Sequence, residues 1–171
     1  MVHLYCGEGK GKTTAAMGLA LRMAGRGKRV VVAQFLKGAD SGERYALAML
    51  PQVTLLPLPE RVKFSFQLTP EEREAEQVRY LALAEQARTL GAQPDCGLLV
   101  LDEVCAAVNT GLLPLEEVIS CLDRAAGEVV LTGRDPDPAL VGRADYITEM
   151  GKLRHPFDLG TCLLYTSPSP R

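Results

Sequence analysis

A stretch of nine residues near the N-terminus, CGEGKGKTT at 6–14, combines glycines, lysines and hydroxyl side chains at a spacing that suits phosphate binding. The common phosphate-binding loop follows the pattern G-x-x-x-x-G-K-[ST] between a strand and a helix. Gly11, Lys12 and Thr13 supply the end of this pattern, but Cys6 stands at the position of its first glycine. The alternative is a plain glycine-rich turn, and the GKTT ending in this position favours the phosphate-binding loop.

The residue types of this loop indicate how it would hold a polyphosphate. Gly7, Gly9 and Gly11 let the backbone approach an anion closely, and the N–H groups at the start of the following helix attract negative charge. Lys12 adds a positive charge for a phosphate oxygen, and a threonine hydroxyl just after it can bind Mg²⁺. We therefore predict a site for a nucleoside triphosphate, which by itself does not specify the reaction.

Two acidic residues, Asp102 and Glu103, follow a short apolar segment at 98–101 that has the pattern of a buried strand. A carboxylate at the end of such a strand can face the phosphate-binding loop and hold Mg²⁺ directly or through water. We therefore predict that Thr13, Asp102 and Glu103 form a site for Mg²⁺ or Mn²⁺. The alternative, which is compatible with the first, is that Asp102 caps a helix and Glu103 lies in its first turn.

Three further polar residues follow predicted strands and are candidates for binding the nucleotide. Gln34 and Lys37 come after the second strand, near the edge of the sheet where α/β proteins bind ligands, and Arg134 lies in a TGR turn. The alternatives are local packing for the first two and a plain surface position for Arg134. Acid–base candidates are few, because the histidines are only His3 and His155 and no Ser/His/Asp arrangement occurs. The chemistry therefore needs positioning and electrostatics more than proton transfer.

These candidates lie on strands and helices that alternate along the chain. Strands are predicted at 2–5, 29–36, 53–56, 98–101, 129–132 and 146–148. Helices are predicted at 13–24, 43–50, 69 to about 90, 115–124 and 138–141. The third helix has the clearest start, because Thr69 suits the N-cap, Pro70 the first helical position, and Glu72 the position three past the cap. The alternation predicts an α/β fold of the P-loop NTPase-like (RecA-like) type, with a mainly parallel central sheet flanked by helices.

Size and composition fit one globular domain, which we place at residues 1–160 of the 171. The segment 161–171 has no strand or helix pattern after Leu164, resembles translated sequencing-adapter read-through, and is expected to be a non-native or disordered tail. A formal net charge of −2 argues against a nucleic-acid partner.

The compartment is inferred from what the chain does not contain. No apolar run reaches the ~20 residues of a membrane span, and charged residues interrupt the apolar N-terminus too early for a signal peptide. The five cysteines form no CxxC pair and no Cys/His cluster, which favours free thiols over a zinc site. We therefore expect a cytoplasmic protein with no membrane partner.

Six sequence blocks, taken in order, resemble the P-loop type ATP:cob(I)alamin adenosyltransferases, also called corrinoid adenosyltransferases. The blocks are GEGKGKTTAAMG, VVVAQFLKG with SGE at 41–43, LVLDEV, LLPLEEVIS, VVLTGRDP, and ADYITEM followed by HPFD. The resemblance covers about residues 2–160. It implies that a Co(I) corrinoid attacks C5′ of ATP and expels triphosphate, with no general base, in adenosylcobalamin biosynthesis or salvage. ATP would lie reversed along the loop relative to ordinary NTPases, so that C5′ faces the corrin.

The same resemblance implies roles for particular residues. The loop would hold the triphosphate, and Glu103 would assist with metal or ribose. The loop residues expected to bind the nucleotide are Gly7, Glu8, Gly9, Lys10, Gly11, Lys12, Thr13 and Thr14. The resemblance also implies a homodimer and an electron donor such as a flavoprotein.

The family carries an aromatic pair after the third strand, and Phe64 and Phe66 occupy that place here. Their implied role is to cover the lower face of the corrin and displace its axial ligand, which makes the resulting four-coordinate Co(II) easier to reduce. Together with Lys12 and Glu103, they are the expected catalytic residues. The alternative is that both aromatic rings pack in the core, because side chains two apart on a strand point to the same face.

Two other function classes remain open from the residues alone. One is a different P-loop enzyme, such as a small-molecule kinase or ligase, which would need a base near an acceptor hydroxyl. The other is a non-catalytic module that binds ATP and a corrinoid without forming a Co–C bond.

Overall fold

The computed structural model describes residues 1–59 and 68–154, and within them six strands form one sheet in which every pair is parallel. The strands are β1 (Val2–Cys6), β2 (Arg29–Gln34), β3 (Val53–Leu55), β4 (Cys96–Asp102), β5 (Glu128–Thr132) and β6 (Tyr146–Glu149). Their order across the sheet is β3-β2-β4-β5-β1-β6. The predicted α/β, P-loop NTPase-like fold class is therefore confirmed.

Helices connect the strands and lie on both faces of the sheet. They are α1 (Lys12–Gly25), α2 (Gly42–Ala48), α3 (Pro70–Gly91), α4 (Val104–Asn109), α5 (Leu115–Arg124) and α6 (Pro138–Arg143). Among residues 1–59 and 68–154, no helix is both long enough and apolar enough to cross a membrane.

The alternating side chains of the central strands build two apolar layers. In β2, Val30 and Val32 pack with Ala16 and the rest of the buried stripe of α1. Val31 belongs to the opposite layer, which includes Tyr80 of α3. The continuous apolar run of β2 is thus explained by burial on both faces, as its sequence predicted.

The start of α3 follows the predicted capping pattern. The Thr69 side chain accepts a 3.2 Å hydrogen bond from the backbone N–H of Glu72, and the Glu72 carboxylate accepts a 3.1 Å bond from the N–H of Thr69. Pro70 is the first helical residue. This reciprocal box satisfies two backbone donors that the helix itself leaves unpaired.

The end of β2 and the residues after β4 differ from the prediction for identifiable reasons. β2 ends at Gln34 rather than at Leu36, because Leu36 has a φ of 53° and its N–H donates to the hydroxyl of Tyr80. The helix α4 was not predicted. Its N-cap is Glu103, with a φ of 58° and no side-chain capping bond, so the expectation that Asp102 caps a helix was wrong.

Four cysteines lie in the described part of the chain, and all four are free and buried, as predicted. Burial raises the pKa of the Cys105 thiol to about 12 and that of Cys121 to about 11. Protonated, buried thiols of this kind pack as small apolar side chains. The fifth, Cys162, lies outside the described residues.

Candidate functional site

The predicted loop and several of the predicted polar residues meet at the carboxyl ends of the central strands. The loop leaves β1, while Gln34, Asp102 and Thr132 are the last residues of β2, β4 and β5. These three strands are consecutive neighbours in the sheet, and β1 lies next to β5. Parallel strands place their carboxyl ends at one edge, which is where ligands bind in open α/β sheets.

The backbone of the loop is shaped by its glycines and by the segment that follows β6. Gly7 and Gly11 have φ values of 95° and 111°, a region that side chains other than glycine rarely adopt. The N–H of Gly9 donates a 2.6 Å hydrogen bond to the carbonyl of Met150, and the N–H of Met150 donates to Cys6. A Cβ at position 9 would lie 2.6 Å from the carbonyl oxygens of both Met150 and Gly151. Glycine is therefore needed at position 9 for packing within the chain.

Lys12 is the first residue of α1, and its side chain is only 4% exposed. Its ammonium donates to the carbonyl of Gly7 at 2.6 Å and to that of Gly9 at 2.9 Å. The positive charge thus lies against the inside of the loop, where phosphate oxygens were predicted to bind. A bound polyphosphate would offer this ammonium stronger, anionic acceptors.

The other residues predicted for the loop lie around this charge. Glu8, Lys10 and Thr14 are exposed, whereas Gly9 is buried. Gly11 is the N-cap of α1 and offers no capping side chain, so the first N–H groups of the helix point toward the loop region. This arrangement can bind an anion through both the charge and the helix N-terminus.

The Asp102 carboxylate is fully buried and accepts hydrogen bonds from three side chains, one at the start of α1 and two at the ends of neighbouring strands. Its Oδ1 accepts from the hydroxyl of Thr13 at 2.9 Å and from that of Thr132 at 2.7 Å. Its Oδ2 accepts from the side-chain amide of Gln34 at 3.1 Å. Thr132 also accepts a 2.8 Å bond from the backbone N–H of Glu103. Thr13 and Asp102, two of the three residues predicted to hold a divalent cation, are therefore in direct contact with each other.

The donor set around Thr13 and Asp102 fits Mg²⁺ better than a transition metal. Within the described ranges, no three His, Cys, Asp or Glu residues lie close enough to hold a metal by themselves. Mg²⁺ commonly takes one or two protein oxygens and completes its shell with waters and substrate phosphates. A hydroxyl and a carboxylate next to a phosphate-binding loop are suited to that role.

A second polar cluster lies beside Asp102 at the end of β2 and the start of α2. Lys37 forms an ion pair with Glu43, and its ammonium lies 3.9 Å from Oδ2 of Asp102. Ser41 donates to the second oxygen of Glu43, and Gln34 donates to the first at 3.2 Å. The predicted nucleotide residues Gln34 and Lys37 thus lie at the site, but both are bound to an acidic residue.

Burial and hydrogen bonding act in opposite directions on the carboxyl group of Glu43. Burial alone would raise its pKa, but hydrogen bonds from Lys37, Ser41 and its own backbone N–H lower that pKa to about 2. Arg44 orients the cluster, because it donates to the side-chain oxygen of Gln34 and to the carbonyl of Leu56, both at 2.9 Å.

Arg134 reaches the loop through an acidic partner. Its guanidinium lies 3.0 Å from the carboxylate of Glu8, and the Arg134 side chain is about half exposed. The side chain of Asn109, at the end of α4, donates to the carbonyls of Arg134 and Asp135 at 3.2 and 2.9 Å. The TGR turn is therefore tied to the phosphate-binding loop on one side and to α4 on the other.

Sequence reasoning missed several members of this site. Thr132, Ser41 and Glu43 each lie within blocks that carry the family resemblance, which is the signal that could have identified them. Met150 is the last residue of the ADYITEM block, but it contacts Gly9 through its backbone carbonyl, which its residue type does not indicate. The predicted aromatic pair, Phe64 and Phe66, lies outside the described residues.

Comparison with known proteins relates the whole arrangement to one family. Residues 1–163 match the family model described as ATP:corrinoid adenosyltransferase BtuR/CobO/CobP. The chain is 36% identical to the corrinoid adenosyltransferase CobA of Salmonella typhimurium, over 94% of this chain and 81% of that protein. It is 35% identical to the corrinoid adenosyltransferase of Pseudomonas aeruginosa, over 92% of this chain and 77% of that protein. It is 33% identical to that of Escherichia coli K12, over 94% and 81%.

Proposed function

Because this chain belongs to the ATP:corrinoid adenosyltransferase family, we propose that it transfers the 5′-deoxyadenosyl group of ATP to the Co(I) centre of a corrinoid and releases triphosphate. The observation that carries the proposal is the juxtaposition of the glycine loop, the buried Lys12 ammonium and the Thr13–Asp102 pair at one sheet edge. The reaction serves adenosylcobalamin biosynthesis or salvage.

In this proposal the triphosphate is gripped by the loop and serves as the leaving group. Lys12 exchanges the carbonyls of Gly7 and Gly9 for phosphate oxygens, and the N–H groups at the start of α1 face the same anion. Thr13 and Asp102 would hold Mg²⁺ or Mn²⁺, which neutralises charge on the triphosphate and so favours its departure. Glu103 follows this pair in the chain and is proposed to assist with metal or ribose, and Arg134 with a phosphate.

The bond-forming step requires no proton transfer. The electron pair of Co(I) attacks C5′, the C5′–O bond breaks, and the triphosphate carries away the electrons of that bond. His3, the histidine among the described residues, is consistent with a step that needs no general base, because its ring contacts residues away from the loop. Its ring is 2.9 Å from the carboxylate of Glu128 and stacks on Tyr146 with ring centroids 5.0 Å apart. Positioning of two substrates is then the main contribution of the protein.

Phe64 and Phe66 are proposed to lie against the lower face of the corrin. There they would exclude the axial ligand, so that four-coordinate Co(II) accepts an electron more readily. The reductant would be a donor such as a flavoprotein. We further propose that the protein is a cytoplasmic homodimer. Four buried free thiols suit a reducing compartment.

One assay tests the proposal against its two competitors. Reduced cobalamin and MgATP are incubated with the protein without oxygen, and the corrin absorbance and the phosphate products are followed. Adenosyl transfer gives the spectrum of an alkylated corrinoid together with intact triphosphate. Release of ADP would favour a kinase or ligase. Binding of both substrates with no change in either would favour a carrier.

A further inference from the structure

The ammonium of Lys37 lies between two carboxylates that have different tasks. Among residues 1–59 and 68–154, the carboxylates within 4.0 Å of its nitrogen are those of Glu43, which it contacts, and Asp102, at 3.9 Å. The Lys37 side chain is only 18% exposed, so water can do little to replace a lost partner. The position of the Lys37 ammonium therefore depends on the relative attraction of Glu43 and Asp102.

Glu43 holds the lysine because Glu43 itself is fixed. It lies in the first turn of α2, where the helix N-terminus favours a negative charge. Ser41, the N-cap residue, donates to its second oxygen, and Gln34 donates to its first. The carboxylate is thus anchored at both oxygens, and the lysine follows it.

Gln34 sets the distance between the two carboxylates. Arg44 donates to the side-chain oxygen of Gln34, so the amide nitrogen must face the opposite way. From there it donates to Glu43 at 3.2 Å and to Asp102 at 3.1 Å. The amide thus lies between the acidic groups and supplies Oδ2 of Asp102 with a neutral donor in place of a cation.

We propose that Glu43 is a positioning residue that keeps the Lys37 ammonium off Asp102, so that the Asp102 carboxylate stays available to a divalent cation. This inference rests on the proposed function, since it requires that a metal–nucleotide complex binds beside Thr13 and Asp102. Without the charge of Glu43, the largely buried Lys37 ammonium would keep Asp102 as its one anionic neighbour among the described residues, and we expect it to move toward that carboxylate. A movement of about 1 Å would give it a charge-assisted hydrogen bond to Asp102 of ~2.8 Å.

The test measures how much Mg²⁺ strengthens ATP binding. Isothermal titration gives the ATP dissociation constant with excess Mg²⁺ and with EDTA, and the ratio of the two constants is the metal gain. We expect Glu43→Gln to reduce this gain about ten- to hundredfold, the usual effect of removing a residue that orients a metal ligand. ATP affinity in EDTA should change much less, which also shows that the variant is folded.

A second variant separates competition by Lys37 from loss of structure. In Lys37→Met/Glu43→Gln the competing ammonium is absent, and we expect the metal gain to return to within about threefold of that of Lys37→Met alone. Using the ratio cancels any direct contribution of Lys37 to ATP binding. Glu116→Gln is the matched control, because Glu116 is an exposed glutamate in the first turn of α5, and its metal gain should equal that of the parent.

The outcomes distinguish this inference from the proposed function. If the parent protein adenosylates cobalamin and shows a metal gain, but Glu43→Gln shows the same gain, the inference alone fails. It fails equally if the double variant stays as weak as Glu43→Gln. If the parent shows no metal gain at all, the metal role of Thr13 and Asp102 fails and the inference falls with it.

Discussion

The hydroxyl of Thr13 donates a 2.9 Å hydrogen bond to Oδ1 of Asp102, although 89 positions separate the two residues in the chain. This contact joins α1, which follows the loop, to the end of β4, which is separated from β1 in the sheet by β5. Replacing Thr13 by valine keeps its shape but removes the hydroxyl. We expect Thr13→Val to weaken ATP binding in Mg²⁺ about tenfold, and to have little effect in EDTA.

The matched control for that change is Thr13→Ser, which retains the hydroxyl. Titration calorimetry on both variants should show that serine preserves the response to Mg²⁺. Equal losses in the two variants would mean that the methyl group, and not the oxygen, is what matters at position 13.

Removal of the Lys12 side chain should abolish most nucleotide affinity. The ammonium is buried against the loop, and charge-assisted bonds to phosphate are among the stronger polar contacts. We expect Lys12→Ala to raise the ATP dissociation constant by about a hundredfold or more. Each factor of ten corresponds to about 1.4 kcal/mol of binding free energy. Fluorescence titration with a labelled ATP analogue measures it.

Lys10→Ala is the control for Lys12→Ala, because Lys10 is an exposed lysine of the same loop. A smaller loss is expected there. An unchanged affinity in Lys12→Ala would remove the basis of the proposed function, since no other described feature of the loop supplies a buried positive charge.

Alanine at position 9 should damage the loop through packing alone. The added Cβ would lie 2.6 Å from two backbone carbonyl oxygens, which cannot move without breaking the bond from Gly9 to Met150. We expect Gly9→Ala to destabilise the protein by about 1–3 kcal/mol and to weaken ATP binding, as measured by urea unfolding and titration.

Gly18→Ala provides the comparison within the neighbouring helix. Gly18 is exposed in α1, and its Cβ would meet nothing within 4 Å, so alanine there should stabilise the helix by about 0.5–1 kcal/mol. Similar unfolding midpoints for the two variants would contradict the packing argument.

Acid should remove the stabilising effect of Glu43. Its pKa is about 2 in the folded protein against an ordinary value of 4.5, so the folded state binds the proton less readily than the unfolded chain. The contribution of Glu43 to stability is therefore complete above pH 4.5 and is lost as the pH falls from about 4.5 to 2. The difference in unfolding free energy between the parent and Glu43→Gln should shrink over that range, as measured by urea unfolding at several pH values. A difference that stays constant from pH 6 to pH 3 would contradict this assignment.

The aromatic pair can be tested by changing the oxidation state supplied. If Phe64 and Phe66 assist reduction of Co(II), replacing both by alanine should slow adenosylation strongly when Co(II) cobalamin and a mild reductant are used. The same variant should lose much less activity with chemically prepared Co(I), and its ATP affinity should be unchanged. Equal losses with Co(I) and Co(II) would point to a general role in corrin binding instead.

Residue patterns predicted the layers of this fold and the position of the glycine loop between β1 and α1, because both are encoded in local sequence. The glycine loop, the buried strand before Asp102 and the capping box at Thr69 each occupy a few consecutive residues. Their physical meaning follows from side-chain type alone. The position of Asp102 beside the loop could be predicted because the carboxyl ends of parallel strands share one edge of the sheet.

The remaining contacts depend on which strands are neighbours, and no local pattern encodes that. Thr132 reaches Asp102 because β5 lies beside β4. Met150 supports Gly9 because β6 lies beside β1. Glu43 was missed for a different reason: its importance lies in holding a lysine away from another acid, which requires three side-chain positions to be known together.

The strand that precedes the loop, β1, pairs in the sheet with β5 and β6, with Val2 opposite Val129 and His3 opposite Tyr146. Both partners of β1 lie far from it along the chain, so the loop reaches the shape seen here only in a molecule in which β5 and β6 have already paired with β1. The contact of Gly9 with Met150 then couples the shape of the loop to the segment that follows β6.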